Sequence, residues 1–163
     1  MNCIVQVDRN NGIGLGGAML IRIPEDLKRF RALTLGKVIL VGRKTLAAFP
    51  GGKPLPLRRN VVLSRTPGYD VPGATVCHSV ASVLDAIRDV PPEDVFVVGG
   101  QQVYEAFLPY CQTVYLTRVD HAFEADRFFP DIAKLPGWRL AKRSEALEYE
   151  GLAYWYETHQ AGP

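Results

Sequence analysis

The stretch Val95-Phe96-Val97-Val98-Gly99-Gly100 joins an unbroken apolar run to a pair of glycines. No polar residue alternates within the run, so both faces of a strand formed by it are expected to be buried. A helical pattern follows directly at residues 102–108, which is the order of strand, turn and helix found in parallel sheets. We therefore expect this run to be a central strand of a mainly parallel sheet.

The same alternation of strand and helix continues on both sides of this run. Short β-branched runs predict further strands at residues 3–7, 38–41, 61–64, 75–77, 114–119 and 154–157. Helical patterns lie between them at residues 25–33, 44–49 and 80–88. Because polar residues interrupt the C-terminal runs, these suit an antiparallel edge of the sheet. The sequence predicts an α/β fold whose sheet is covered by helices on both faces.

The composition bounds the class of protein. With 163 residues, 47% of them hydrophobic, the chain is expected to form one domain over residues 1–163. The net charge of +2 is too small to favour a nucleic-acid or membrane surface as partner. Isolated cysteines and unpaired histidines predict neither a disulfide framework nor a metal site. With no basic, apolar leader and no bilayer-length apolar run, we expect a cytoplasmic protein. We also expect a monomer.

Asp26 is the most informative polar residue. In a helix opened by Pro24, a 3.6-residue period places Leu33, Asp26, Phe30 and Leu27 on one face. An ionised carboxylate among apolar side chains is costly unless its pKa rises or a cationic, hydrogen-bonding ligand pairs with it. The alternative is that Asp26 only complements the helix dipole, but Glu25 can do so from the wet face. We hypothesise that Asp26 marks a binding site.

The glycine-rich segment Gly12-Ile13-Gly14-Leu15-Gly16-Gly17 satisfies the dinucleotide pattern G-x-G-x-x-G. That pattern also requires a helix opening at the loop and an acidic residue about twenty positions later. Neither is present, since residues 33–37 contain no acid. We interpret the segment as a mobile flap that closes over a ligand, with an ordinary surface loop as the alternative.

Three predicted strands end in residues that suit phosphate. Gly42-Arg43-Lys44-Thr45 follows one strand, Ser64-Arg65 ends a second, and Gly99-Gly100 ends a third. Main-chain amides at helix starts and nearby cations favour anions. Because the carboxyl ends of parallel strands share one edge, the three ends predict a long anion-binding crevice where open α/β proteins bind nucleotides.

The chain resembles the dihydrofolate reductase family from Ile4 to about Asp131. The matching segments, in the family's order, are 8–14, Ile23-Pro24-Glu25-Asp26-Leu27-Lys28-Arg29-Phe30, 34–37, 41–45, 55–64, Val97-Val98-Gly99-Gly100-Gln101-Gln102-Val103-Tyr104, 115–117 and 126–131. This resemblance implies eight strands and four helices, NADPH as cofactor and 7,8-dihydrofolate as substrate. Hydride would pass to pterin C6, and a proton would reach N5.

The resemblance also implies roles for individual residues. Asp26 would be the active-site carboxylate, with Thr117, Met19 and Ile21 as further catalytic positions. The implied substrate-binding residues are Ile4, Val5, Asp26, Leu27, Phe30, Phe49, Leu55, Arg58, Val98, Tyr104 and Thr117. The implied cofactor-binding residues are Gln6, Ile13, Gly42, Arg43, Lys44, Thr45, Leu63, Ser64, Arg65, His78, Val98, Gly99, Gly100, Gln101, Gln102, Val103 and Tyr104.

Two departures from the family pattern stand out. Leu20 and Ile21 occupy places where the family usually has proline and tryptophan, so an indole N–H near the substrate is absent. Leu57 replaces a glycine that commonly precedes Arg58. One alternative is the pyrimidine reductase of riboflavin synthesis, which shares the fold but would need a ribose phosphate site in place of the Asp26, Phe30 and Thr117 set. The second alternative is a non-catalytic protein that binds pterin or NADPH.

Overall fold

A computed structural model describes residues 1–162. In chain order the elements are β1 (Asn2–Val7), β2 (Gly12–Leu15), β3 (Ala18–Met19), α1 (Pro24–Thr34), β4 (Val38–Gly42), α2 (Arg43–Ala47), β5 (Arg59–Leu63), β6 (Ala74–Cys77), α3 (Val80–Ala86), β7 (Val95–Gly99), α4 (Gln101–Phe107), β8 (Thr113–Val119), β9 (Arg127–Phe128), β10 (Trp138–Arg143), β11 (Leu147–Tyr149) and β12 (Leu152–Ala161). Every strand and helix expected from the sequence pattern is present, with ends shifted by a few residues.

The main sheet has the strand order β10-β12-β8-β1-β7-β4-β5-β6, with the short β11 beside β12. The strands from β8 to β6 run parallel to their neighbours, whereas β12 is antiparallel to both β8 and β10. The predicted α/β fold with an antiparallel C-terminal edge is confirmed. Residues 95–98 form most of β7, which lies between β1 and β4 as a central strand should.

Helices cover both faces of the parallel strands. On β4, Val38 and Leu40 join one apolar core cluster, while Ile39 and Val41 join the other. The first cluster receives side chains from α3 and α4, and the second receives side chains from α1 and α2. Because both faces are buried, the strands read as continuous apolar runs rather than alternating ones.

The sheet opens between β1 and β7. These two parallel strands pair only at Asn2 with Phe96 and Cys3 with Val97. Beyond those pairs, the hydroxyl oxygen of Tyr104 lies between the strands, 2.7 Å from the carbonyl oxygen of Ile4 and 2.6 Å from that of Val98. The divergence leaves a cleft at the carboxyl edge of the sheet, where α/β proteins place their ligands.

Five strands lie outside the sequence expectation. The glycine-rich flap is a hairpin, in which β2 pairs with both β3 and β9 to make a separate three-stranded sheet. Strands β10 and β11 also were not predicted. These segments are short or mostly exposed, so they carry no buried apolar period that a pattern can detect.

The described residues lack two kinds of feature. No helix within residues 1–162 has the length and apolar character needed to cross a membrane. Over the same range, no three His, Cys, Asp or Glu side chains are grouped so that they could hold a metal ion.

Candidate active site

Asp26 lies in the first turn of α1, half-buried over the carboxyl half of β1 and β8. The Thr117 hydroxyl donates a hydrogen bond of 2.7 Å to Oδ1 of Asp26, and the Gln6 amide nitrogen lies 3.4 Å from Oδ2. Burial raises the pKa of Asp26 above its usual value, against the hydrogen bond from Thr117 and the positive charge of Arg29. The structure thus brings the predicted pair Asp26 and Thr117 together.

Asp26 faces a row of side chains that crosses three strands. Thr117 on β8 is paired in register with Gln6 on β1 and with Tyr156 on β12. Residues paired in this way project from the same face of a sheet. Burial, and then the negative charge of Asp26, raise the pKa of Tyr156 to about 12. The side chain of Gln6, a residue expected near the nicotinamide, lies beside the Asp26 carboxylate.

A cation beside this row was missed by sequence reasoning. The guanidinium carbon of Arg29 is 4.1 Å from the ring centroid of Tyr156 and 5.9 Å from that of Tyr115. Such stacking on aromatic faces holds a positive charge in place. The signal for Arg29 was its spacing of three residues from Asp26 on one helix. No local signal existed for Tyr156, since its place depends on the pairing of β12.

Apolar residues of the expected substrate site form one wall. Ile4, Phe30, Phe49, Leu55 and Val98 belong to the same core cluster, on the face of the sheet covered by α1. Leu27 is half-buried on α1. The side chain of Val5 lies in the opposite cluster, because neighbouring residues of a strand point to opposite faces. The structure does not bring Val5 to this wall by its side chain.

The flap residues lie at the rim of the cleft. Met19 on β3 is 42% exposed. Ile21 packs with Ile23 and Tyr156 in a small third apolar cluster. Leu20, Ile21 and Gln6 also line one narrow pocket. The aliphatic residues that replace the family's proline and tryptophan therefore contact the region of Gln6.

Arg58 lies at the far end of the apolar wall. Its Nε donates to the carbonyl oxygen of Pro56 at 2.9 Å, and Nη1 is 3.4 Å from Oγ1 of Thr34. Burial and the charge of Arg31 lower the pKa of the Arg58 guanidinium. These contacts occupy two of five N–H donors, so the guanidinium can still bind a carboxylate. The preceding Leu57 has φ of 60°, in the left-handed region that glycine prefers.

The carboxyl ends of β4 and β7 form a glycine-lined cradle. A Cβ atom on Gly42 would lie 3.1 Å from Cγ2 of Val103, and one on Gly100 would lie 3.3 Å from Oγ1 of Thr45. Gly99 has φ of +126°, and a Cβ there would lie 3.1 Å from the Tyr104 ring. A side chain at any of these three positions would press on its neighbour, so glycine favours the close approach of the two strand ends and α4.

The other expected cofactor residues surround this cradle in three groups. Arg43, Lys44, Arg65, His78 and Gln102 are exposed, while Ser64 and Val103 are buried and Ile13, Leu63 and Thr45 are half-buried. The His78 Nδ1 atom is 2.7 Å from the carbonyl oxygen of Ser64, which ties β6 to the end of β5. Tyr104 is buried, and only its hydroxyl reaches the cleft between β1 and β7. The Gln101 side chain is held by the Phe128 amide and by Glu105.

Known proteins resemble this chain in sequence. A sequence model of the family described as dihydrofolate reductase matches residues 1–160. The chain is 36% identical over 154 residues to a dihydrofolate reductase of Bacillus subtilis, covering 94% of this chain and 89% of that protein. It is 40% identical over 143 residues to one of Neisseria gonorrhoeae, covering 87% of this chain and 86% of that protein.

A solved structure shares the fold. The dihydrofolate reductase of Enterococcus faecalis, complexed with NADP(H) and RAB-propyl, superposes with a TM-score of 0.86 at 31% identity, covering 99% of this chain and 96% of that one. By its sequence and its fold, the chain belongs to the dihydrofolate reductase family and is an oxidoreductase of that family.

Proposed function

We propose that the protein reduces 7,8-dihydrofolate to 5,6,7,8-tetrahydrofolate with NADPH as the hydride donor. The observation that carries this proposal is the half-buried Asp26 carboxylate, with Thr117 on one oxygen and Gln6 near the other. A buried acid over an apolar cleft matches a flat heterocycle that offers parallel N–H donors. The Enterococcus faecalis relative, solved with NADP(H), supports the choice of cofactor.

The substrate fits the cleft in one orientation. The two Asp26 oxygens would accept hydrogen bonds from the 2-amino group and the adjacent ring nitrogen of the pterin. Leu27, Phe30, Phe49 and Leu55 would enclose the pterin and the aminobenzoyl ring, as their place on the wall of the cleft supports. Arg58 would bind the glutamate α-carboxylate through its free N–H groups.

The glycine cradle supports a dinucleotide pyrophosphate at the ends of β4 and β7. Gly42, Gly99 and Gly100 bring main-chain groups close together there, because a Cβ at any of them would press on Val103, Tyr104 or Thr45. Main-chain amides at the start of a helix favour a phosphate. The exposed Arg43 and Arg65 would pair with the 2'-phosphate, which selects NADPH over NADH. When bound, NADPH supplies the hydride, and the protein aligns the donor with the acceptor carbon.

The protein's own contribution to the chemistry is electrostatic. Asp26 keeps a negative charge beside the pterin, which raises the basicity of N5 and favours the protonated, electron-poor ring. Asp26 itself is not adjacent to N5 in this orientation, so the proton comes from solvent at the rim. The hairpin that carries Met19 limits that access and excludes bulk water from the cleft.

A direct assay tests the proposal. Purified protein mixed with NADPH and dihydrofolate should show loss of nicotinamide absorbance only when both are present. Binding of both ligands without that loss would indicate a non-catalytic binding protein. Loss of absorbance with a ribosylated aminopyrimidine, and none with dihydrofolate, would indicate the riboflavin-pathway reductase instead.

A further inference from the structure

We propose that Gln6 is a positioning residue that holds the second oxygen of Asp26, so that the carboxylate presents a fixed face to the pterin. This role rests on the proposed function, and it differs from the nicotinamide contact expected from the sequence. The starting observation is that the side-chain amide nitrogen of Gln6 lies 3.4 Å from Oδ2 of Asp26.

The register of the sheet explains why Gln6 points at Asp26. Gln6 on β1 and Thr117 on β8 are partners in the parallel ladder, so their side chains project side by side from one face. Thr117 holds Oδ1 at 2.7 Å, and Gln6 lies at Oδ2. Two donors on adjacent strands therefore restrict the rotation of the Asp26 carboxylate about its Cβ–Cγ bond.

The chemistry of the carboxamide makes its orientation unambiguous. A carboxylate accepts hydrogen bonds and cannot donate them, so the nitrogen of Gln6 and not its oxygen must face ionised Asp26. A carboxamide also carries no charge that changes with pH. The Gln6 side chain therefore supplies a hydrogen-bond donor at every pH. The aliphatic side chains of Leu20 and Ile21, which line the same pocket, have no donor to supply.

Other groups near Asp26 act by charge and not by a hydrogen bond. Arg29 on α1 lies over the Tyr156 ring, and its positive charge favours the ionised acid. Glu25 on the same helix and the hydroxyls of Tyr154 and Tyr156 on β12 complete the titratable surroundings. Among the described residues, Thr117 and Gln6 are the side chains within hydrogen-bonding distance of the carboxylate.

The test compares Gln6→Met, which keeps the length but removes the donor, with Gln6→Glu, which keeps the shape but presents an acceptor. In ligand-free protein, carbon-13 NMR of the Asp26 carboxyl should show a higher titration midpoint in both variants, more so in Gln6→Glu because two acids then adjoin. An unchanged midpoint in either folded variant would overturn the proposal. This measurement does not depend on whether the protein reduces dihydrofolate.

Kinetics supply the second readout. With Gln6→Met, kcat/KM for dihydrofolate should fall by about three- to tenfold, as expected for one weak hydrogen bond to a charged group. The KM for NADPH should stay the same. A rise in the KM for NADPH with no change in kcat/KM for dihydrofolate would place Gln6 at the nicotinamide and contradict the proposal. Failure of the wild type itself to turn over would instead count against the proposed function.

Gln160→Met is the matched control. Gln160 is also a half-buried glutamine of the main sheet, and its Oε1 accepts from the Thr113 hydroxyl at 3.4 Å. It lies on β12 four residues beyond Tyr156, towards the opposite edge of the sheet from the cleft. This variant should leave both the titration midpoint of Asp26 and kcat/KM for dihydrofolate unchanged. It therefore shows whether losing a carboxamide from the sheet has a general effect.

Discussion

At the scale of single residues, the site is a balance around one carboxylate. Burial of Asp26 disfavours its charge, while the Thr117 hydroxyl and the Arg29 guanidinium favour it. A charge held in this way costs stability but gives the cleft a strong local field. The charge of Asp26 therefore favours activity but lowers the free energy of unfolding, and substitutions of Asp26 should affect these two properties in opposite directions.

Asp26→Asn is expected to slow turnover at neutral pH by about a hundredfold or more, the scale of losing a group that assists proton transfer. The amide cannot raise the basicity of N5. Activity should recover partly in acid, where the substrate protonates without help. The pH dependence of kcat/KM checks this, and a profile identical to that of the wild type would exclude the assigned role.

The same substitution should leave the fold intact and raise the free energy of unfolding at neutral pH. The folded-state pKa of Asp26 lies above its ordinary value of 3.8. In the pH window between these two pKa values, the folded protein therefore binds more protons than the unfolded chain. Stability of the wild type therefore falls as pH rises through that window. In urea unfolding, the two proteins should converge below pH 3.8. A variant less stable at pH 7 would contradict this linkage.

Arg65→Ala tests the phosphate end of the crevice. Arg65 is exposed two residues beyond β5 and follows Ser64, whose carbonyl oxygen contacts His78, so it can reach a 2'-phosphate without a cost in packing. The KM for NADPH should rise by roughly tenfold, the size of one lost charge-assisted contact, and the KM for NADH should stay nearly constant. Parallel measurements with the two cofactors decide the matter. Equal changes for both would remove Arg65 from the 2'-phosphate site.

At the scale of elements, strand ends carry the site. The cradle forms where β4 and β7 end in glycine, just before α2 and α4 begin, and the cleft forms because β1 leaves β7 after Cys3. Tyr104 ties these features together, since its hydroxyl lies between the carbonyl oxygens of Ile4 and Val98. A change that moves the Tyr104 ring should therefore disturb the cradle and the cleft together.

Gly99→Ala makes that change. A backbone at φ of +126° is unfavourable for alanine, and the new methyl group would lie 3.1 Å from the Tyr104 ring. Gly137→Ala is the control, because Gly137 also has positive φ (+84°) but a Cβ there meets nothing within 4 Å. We expect a backbone cost of about 1–3 kcal/mol in both variants, and a further loss only at Gly99. Urea unfolding and NADPH binding measure the difference, and equal losses would refute the role of Tyr104.

At the scale of the whole molecule, the C-terminal strand completes the site. Strand β12 pairs along the length of β8 and brings Tyr156 beside Thr117. On that strand, Glu157 accepts hydrogen bonds from Trp155 and, at 2.8 Å, from the His159 ring, and it lies 3.8 Å from Arg118. These contacts, the one with His159 first, hold the pKa of Glu157 below its usual value. Because Arg118 lies on β8, its ion pair with Glu157 ties β12 to β8 beside Tyr156.

Glu157→Gln should lower the free energy of unfolding at neutral pH by about 1–3 kcal/mol, because it removes a charged acceptor. The contribution of Glu157 is complete above its ordinary pKa of 4.5 and is lost as pH falls through the lower, folded-state pKa. The difference from the wild type should therefore shrink in acid. Glu148→Gln, on the exposed face of β11, is the control and should change little at any pH. A deficit that does not vary with pH would mean that packing, and not charge, explains the loss.

Much of the fold was predictable because the parallel strands are buried on both faces. Runs such as residues 95–98 and 38–41 are apolar throughout, and few other structures require that pattern. The hairpin of β2 and β3 was not predictable, since glycines and an exposed methionine carry no period. In the site, Asp26 and Thr117 were expected together, whereas Arg29 and Tyr156 were missed.

The amino-acid sequence alone specifies the order of strands and helices, the acid on the apolar face of α1 and the glycines at two strand ends. Local periodicity and backbone freedom dictate these features, and both are written in neighbouring residues. The row of Gln6, Thr117 and Tyr156 beneath Asp26, by contrast, arises only when the chain folds. The register between distant strands depends on how the whole core packs, and shifting it by one residue would turn each of these side chains to the other face of the sheet.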